Sequence, residues 1–341
     1  MLNPNLQHLV TLSNDNSKQV AVILPAYNEE LTIESTIRSF YNELPQAAIW
    51  VIDNKSNDLT QQIARNVFST LNCKGGIIYE ERKGKGNAIR RAFRDIEADI
   101  YVLADADLTY PAHRVHDLIK PIEVNYADIV VGDRRSGGRY DEENKRALHG
   151  FGNKTVKVLV NFLFNSKLND IMSGYRVFSR IFVKNYPILV EGFEIETDMT
   201  LHALDKKFRI IEIPVEYKNR PEGSISKLNT MSDGFKVLFT IARILRYYKP
   251  LLFFSCASLI FFIAGFLTGI PVFNDWIQYQ FIFHIPLAIL ATGLEVIAVL
   301  MFAIGLILDS ISYQSRFNFE LEINKMKMTP NINSCNTKLK E

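Results

Sequence analysis

Residues 251 to 308 form a stretch of fifty-eight positions with only two charged side chains, Asp275 and Glu295. That segregation limits what the chain can become. A run such as LLFFSCASLIFFIAGFLTGI cannot be left in water when each exposed CH₂ costs roughly 0.8 kcal/mol. The other 283 residues carry 74 of the 76 charges, so a protein that is mostly membrane is excluded as well. The mean hydropathy of +0.01 is the average of two unlike populations.

Residues 251 to 270 give twenty uncharged positions, and residues 281 to 308 give twenty-eight with one glutamate. Both lengths match bilayer-spanning helices of about 20 residues. Residues 231–250 read as an amphipathic helix at the interface, with Phe235, Leu238, Phe239, Ile241 and Leu245 set against Lys236, Arg243, Arg246 and Lys249. The connector NDWIQYQ lacks Lys and Arg, whereas Arg243, Arg246 and Lys249 precede the hairpin and Arg316, Lys325 and Lys327 follow it. Positive-inside asymmetry therefore places both termini in the cytoplasm, in an integral protein of a bacterial-type inner membrane. The polar first twenty residues hold no apolar signal core, so no cleaved leader is expected. A carboxylate at Glu295 is costly inside a span unless protonated or paired, across the hairpin or between subunits. Ser, Ala and Gly along SCASLIFFIAG permit helix pairing, which admits a homo-oligomer.

Net charge is only +2, without the basic footprint of a nucleic-acid binder, so an anionic partner has to be met locally. Cys73, Cys256 and Cys335 form no CxxC or Cys/His cluster, which argues against zinc and for a reducing compartment. From residue 20, short β-branched runs alternate with amphipathic stretches: VAVILP, IWVID, GIIYE, IYVLAD and DIVVG are separated by helical text. That order predicts a mostly parallel α/β sheet whose ligand sits at the carboxyl ends of the strands. PAYNEE, DNKSND and DADLTYP fall there. Asp105 and Asp107, one residue apart past a strand end, suit Mg²⁺ or Mn²⁺ held against a diphosphate. Lys85 in GKG fits neither a Walker A loop nor GxGxxG, so nucleotide hydrolysis and hydride transfer lack their motifs.

PAYNEE (25–30), VIDNKSND (51–58), GKGNAIRRAF (84–93), LADADLTYP (103–111), VVGDRR (130–135), DIMSGYRVF (170–178) and RPEGSISKL (220–228) occur in the order found in one enzyme family. Over residues 20 to 230 the chain resembles GT-A-fold nucleotide-sugar glycosyltransferases of family 2. The branch it most resembles comprises the dolichyl-phosphate mannose synthases and bacterial undecaprenyl-phosphate glycosyltransferases. The fold so implied is a Rossmann-like GT-A domain followed by a two-helix transmembrane hairpin. Its divisions would be a tail at 1–18, the GT-A domain at 19–230, the interfacial helix at 231–250, the hairpin at 251–308 and a cytoplasmic tail at 309–341.

The resemblance implies that Pro25, Tyr27, Glu29 and Asp53 contact the base and ribose of a UDP- or GDP-sugar. It also implies that Lys85 and the Asp105-Ala106-Asp107 segment meet its diphosphate and metal. Thr109 stands where the synthases often have Gln, a departure that leaves direct metal contact there unsupported. Arg134, Arg135, Arg220 and Lys227 match the basic positions that hold acceptor and donor phosphates, and guanidinium groups suit bidentate phosphate contact. Asp170 resembles an acidic residue beside the reacting phosphate, with Asp107, Asp170 and Arg134 forming the implied catalytic set. A polyprenyl-phosphate acceptor is largely ionised at neutral pH and hardly needs a general base. Transfer to diacylglycerol would need one, giving Asp170 a larger part. A polymer synthase is disfavoured by the missing QxxRW motif. A non-catalytic nucleotide-sugar-binding membrane protein is the remaining alternative.

Overall fold

The structure is a computed structural model, and it describes residues 18–136, 147–192, 194–218, 220–221 and 233–328. By internal contacts the chain divides into two compact units, Met1–Met231 and Ser232–Glu341.

The first unit is built on a seven-stranded sheet. In chain order its strands are β1 (Val20–Ala26), β2 (Ala48–Asp53), β3 (Gly75–Tyr79), β4 (Ile100–Leu103), β5 (Ile129–Asp133), β6 (Arg176–Ser179) and β7 (Ile210–Pro214). The spatial order is β3-β2-β1-β4-β6-β5-β7. All neighbours are parallel except β6, which runs antiparallel to β4 and β5. The antiparallel insertion comes from DIMSGYRVF, which follows a long helix and enters the sheet from the opposite end.

Helices α1 (Ile33–Glu43), α2 (Thr60–Leu71), α3 (Lys85–Asp95), α4 (Val115–Glu123), α5 (Ala147–Phe164), α6 (Arg180–Asn185) and α7 (Ile195–Asp205) connect the strands. Alternation along β1 shows why both faces are covered. Val22, Leu24 and Ala26 join the core beneath α1, α2 and α4 through Ile37, Ala64 and Leu118. Ala21 and Ile23 point the other way, to Ile89, Phe182 and Met199 of α3, α6 and α7. A strand buried on both sides has to be continuously apolar, which is how VAVILPA reads. The expected mostly parallel α/β arrangement is therefore present.

The second unit contains α8 (Asp233–Tyr248), α9 (Pro250–Tyr279) and α10 (Ile285–Met328). The last two pair as an antiparallel hairpin. Ser258 Oγ donates to the Ala298 carbonyl at 2.7 Å, and Gly269 lies against Ala291. Gly265 leaves room for Glu295, since a Cβ there would stand 2.7 Å from Glu295 Oε1. Both helices are long and apolar enough to cross a membrane. Two boundaries differ from the sequence expectation. Helix α9 continues through Pro271 and the whole NDWIQY segment before Gln280 ends it in the left-handed region, and α10 runs on well past residue 308. Neither stretch contains a glycine or proline placed to stop it sooner: Pro271 removes one hydrogen bond without reversing the chain. Asp275 stays near the turn, accepting hydrogen bonds from the backbone N–H groups of Phe283 and His284.

Candidate active site

Three adjacent strands, β2, β1 and β4, end together and bring Asp53, Pro25, Tyr27 and the Asp105-Ala106-Asp107 segment to one edge of the sheet. Asp53 is 2% exposed, and its Oδ1 has no hydrogen-bond partner among the described residues. Leaving a buried carboxylate oxygen unsatisfied is costly, so this atom is suited to a donor supplied by a ligand. Beside it, Tyr27 turns its ring toward Lys83, whose Nζ is 4.8 Å from the ring centroid. Glu29 starts the turn into α1: its carbonyl accepts from the Thr32 and Ile33 N–H groups, and its own N–H donates to Thr60 Oγ1 at 2.8 Å. Pro25 pairs in register with Ile52.

The DxD segment is fixed from several sides. Ala106 is buried, and its carbonyl accepts from the hydroxyls of Thr32 (2.8 Å) and Thr36 (3.2 Å). Thr109 donates to Asp107 Oδ1 through both its N–H (3.1 Å) and its hydroxyl (2.6 Å). It thus orients the carboxylate, which accounts for a hydroxyl standing at that position. Arg220 reaches Asp107 Oδ2 at 2.6 Å and Glu29 Oε1 at 3.7 Å. Burial, and then the neighbouring Asp105 charge, push the Asp107 carboxyl above the ordinary range despite Arg220 and Thr109. Asp105 pairs with Lys85, whose ammonium also pairs with Glu196. Burial works to lower the Lys85 pKa, but the two carboxylates outweigh it and raise it.

Lys85 opens α3 behind Gly84, whose φ of +130° suits glycine. The two flanking glycines are required by chain packing. A Cβ on Gly84 would stand 2.2 Å from the Glu191 carbonyl oxygen, and one on Gly86 would stand 2.3 Å from that of Val190. Asn54 completes the loop, accepting from the Gly84 N–H at 2.7 Å and donating to the Arg82 carbonyl at 2.7 Å.

A second cluster lies at the ends of β5 and β7. Arg134 clamps Asp170 through Nε (2.7 Å) and Nη2 (2.9 Å), and its backbone N–H reaches the same carboxylate at 3.2 Å. Arg134 also lies over the Tyr217 ring, 5.6 Å from its centroid. Asp170 is 3% exposed; burial opposes ionisation, yet the Arg134 guanidinium holds the carboxyl below its usual range. The Asn169 and Asp170 N–H groups donate to Glu212 on β7. Arg135 enters this turn through its N–H, which donates to Asp133 Oδ1 at 2.9 Å. Lys227 lies outside the described residues.

The DIMSG segment joins the two clusters. Arg176, fully buried, donates to the Ser173 and Ile171 carbonyls at 2.7 Å each and to Thr200 Oγ1 at 2.9 Å. Gly174, held by a 2.9 Å hydrogen bond to Tyr110 Oη, abuts Asp105 so closely that a Cβ would meet its Oδ2 at 2.7 Å. Sequence reasoning missed Glu196, Glu212 and Arg176. The acidic text EIETDM at the start of α7 was the available signal for Glu196, but only the fold brings it to Lys85.

No group of three or more His, Cys, Asp or Glu side chains suited to a metal ion occurs among the described residues. Asp105 and Asp107 supply two hard oxygen donors of the kind that suits a divalent metal, and each is paired with a cationic side chain, Lys85 and Arg220 respectively.

The glycosyl transferase family 2 model matches residues 21–186. Glycosyltransferase AglJ of Haloferax volcanii is 28% identical over 293 residues, covering 86% of this chain and 93% of that protein. The polyprenol monophosphomannose synthase of Mycolicibacterium smegmatis is 25% identical over 237 residues, covering 65% of this chain and 86% of that one. Among solved structures, glucosyl-3-phosphoglycerate synthase from Mycobacterium tuberculosis aligns with a TM-score of 0.52 at 21% identity, covering 71% of this chain and 82% of that one; it shares the GT-A-like fold. The sheet, the DxD turn at the end of β4 and these likenesses converge, and the chain belongs to glycosyl transferase family 2.

Proposed function

We propose that this glycosyltransferase moves a hexose, with inversion, from a UDP- or GDP-sugar to a membrane polyprenyl phosphate. One observation carries the choice of acceptor. Asp170, the carboxylate that the sequence offers as a base for a hydroxyl acceptor, is clamped bidentately by Arg134, which holds its carboxyl below the usual range and leaves it a weak proton acceptor. A hydroxyl acceptor needs a base, whereas a phosphate monoester with its second pKa near 6 arrives already ionised. Relatives named as polyprenol and dolichyl-phosphate sugar transferases support the same acceptor class.

In this reading Asp53 accepts a hydrogen bond from the base and Tyr27 offers a ring face to it. Lys85 faces the diphosphate from α3. Arg134 and Arg135, with Lys227, hold the acceptor phosphate, and Asp170 fixes the plane of the Arg134 guanidinium. Arg220 moves from Asp107 to phosphate when the donor enters. Asp105 and Asp107 would hold Mg²⁺ or Mn²⁺, which when bound supplies neutralising charge to the nucleoside diphosphate. An acceptor phosphate oxygen attacks the anomeric carbon, and the bond from that carbon to the diphosphate oxygen breaks in line. No proton need move, so positioning supplies most of the acceleration.

The hairpin of α9 and α10 crosses the membrane in this account, with both chain ends on the cytoplasmic side beside Arg243, Arg246 and Lys249, and Arg316 and Lys325. Keeping the catalytic unit at the surface raises its effective concentration toward a lipid phosphate. The test is incubation of membranes containing the protein with radiolabelled UDP- and GDP-sugars, with and without EDTA. Label in an acid-labile lipid, lost with EDTA, is the expected result. Absence of labelled lipid with every donor would refute the reading.

A further inference from the structure

Helix α5, Ala147–Phe164, has an outward side that neither the proposed transfer nor the core uses. Val156 and Val160 turn inward and are 3% and 0% exposed. Two positions further on, roughly 200° around a helix of 3.6 residues per turn, Val158 and Phe162 turn outward. They are 57% and 79% exposed. Lys154 is exposed on that same side, Lys157 flanks it, and Lys167 is exposed just beyond the helix. From residue 147 to residue 169 the sequence contains no Asp or Glu.

We propose that this outward side of α5 docks on an anionic bilayer surface, with Val158 and Phe162 entering the acyl boundary and Lys154, Lys157 and Lys167 meeting lipid phosphates. An apolar strip flanked only by cations is the composition that binds such a surface. The charge selects the occupant. A protein partner would ordinarily find acidic as well as basic groups to pair, and among the described residues of this helix and the loop after it, up to residue 169, the charged groups are all cations. The contact is also tied to the site. The Asn161 side chain donates to the Leu168 carbonyl at 2.9 Å and accepts from the Leu168 N–H at 3.0 Å and the Ser166 hydroxyl at 2.7 Å. The helix is thereby fastened to the loop that delivers Asp170. Docking α5 sets the height of the Arg134–Asp170 clamp above the lipid surface.

The inference stands apart from the acceptor reading, and its test uses no turnover. In the full chain with Cys73, Cys256 and Cys335 replaced by Ser, Phe162→Cys is labelled with the fluorophore NBD and the protein is placed in phosphatidylglycerol-containing vesicles. Tyr126→Cys, at the amino end of β5, is the control, because Tyr126 is 46% exposed at the opposite end of the strands from the site. Reduction of the label by aqueous dithionite should be at least about fivefold slower at 162 than at 126, as expected for a probe at the acyl boundary. Lys154→Glu with Lys157→Glu should abolish the difference. Equal rates at 162 and 126 overturn the proposal. So does protection that is equally strong in phosphatidylcholine vesicles, or that disappears when the protein is diluted to about one copy per vesicle, which would report a second copy of the chain.

Discussion

Gly174 offers a direct perturbation of the DxD geometry. Its φ is not in the left-handed region, so alanine can adopt the backbone, but a Cβ would stand 2.7 Å from Asp105 Oδ2 and 3.2 Å from its Oδ1 and Cγ. An ordinary contact begins at 3.4 Å, so the carboxylate would have to retreat by about 0.7 Å. Yielding from the other side is restricted. Gly174 is hydrogen-bonded to Tyr110 Oη, and its loop is pinned by the fully buried Arg176. Asp105 therefore swings, against the pull of Lys85. A displacement of that order at a reacting centre costs up to about 100-fold, or about 2.7 kcal/mol of transition-state stabilisation. The expectation for Gly174→Ala is a 10- to 100-fold fall in kcat/KM for donor, by roughly 1.4 to 2.7 kcal/mol. Thermal melting should shift little. Gly293→Ala is the control, since nothing lies within 4 Å of a Cβ there. Turnover in reconstituted vesicles and thermal melting of the same preparations are the measurements. Full activity in Gly174→Ala with an unchanged melting temperature would refute the claim that this contact sets the Asp105 position.

Asp53→Ala removes the buried, unsatisfied carboxylate oxygen to which the proposed function assigns the base, and on that reading calorimetry should find nucleoside diphosphate bound roughly 10- to 150-fold more weakly, the cost of about 1.5 to 3 kcal/mol for a hydrogen bond to a charged group. Asp170→Asn should leave donor affinity within about twofold while cutting acceptor-dependent turnover by an order of magnitude or more, because it frees the Arg134 fork from its fixed plane; unchanged turnover speaks against the clamp. His202, enclosed by Phe182, Tyr186 and Phe208, is pushed down to about 4 by burial, with Lys206 adding to the effect. Its native form binds fewer protons than the unfolded chain between pH 6.5 and 4, so its contribution, on the order of 3 kcal/mol, is complete above pH 6.5 and is lost as pH falls toward 4. Replacing it with Phe should flatten the fall in melting temperature across that window, and an equally steep fall would contradict the assignment.

The parts of the fold legible in the sequence were those encoded locally. Strands buried on both faces are continuously apolar, and each polar motif sits where a strand ends, so the sheet and its functional edge could be read from order alone. The reversed direction of β6 could not, because VFS looks the same run either way and only its pairing with β4 and β5 decides. At the site, carboxylates and cations were visible as types while their pairings were not. Lys85 meets Asp105 and Glu196 across 20 and 111 positions, and Arg134 meets Asp170 across 36. The glycines that flank Lys85 make room for the Val190 and Glu191 carbonyls, a packing requirement that only the fold reveals. Thr109, a departure from the resembled pattern, supports Asp107 through two hydrogen bonds. In the second unit, length and apolarity identified the hairpin, but helix ends there depended on breakers that the sequence lacks.

The central claim is that an ionised lipid phosphate is the nucleophile and that the protein supplies no general base. The most direct measurement compares polyprenyl phosphate with the corresponding polyprenol as acceptors for the purified protein, using the labelled nucleotide sugar that membranes accept. The account predicts glycosylated product from the phosphate alone, with kcat/KM for acceptor falling as pH drops below the second phosphate pKa near 6. Product formed from the polyprenol at a comparable rate would contradict it.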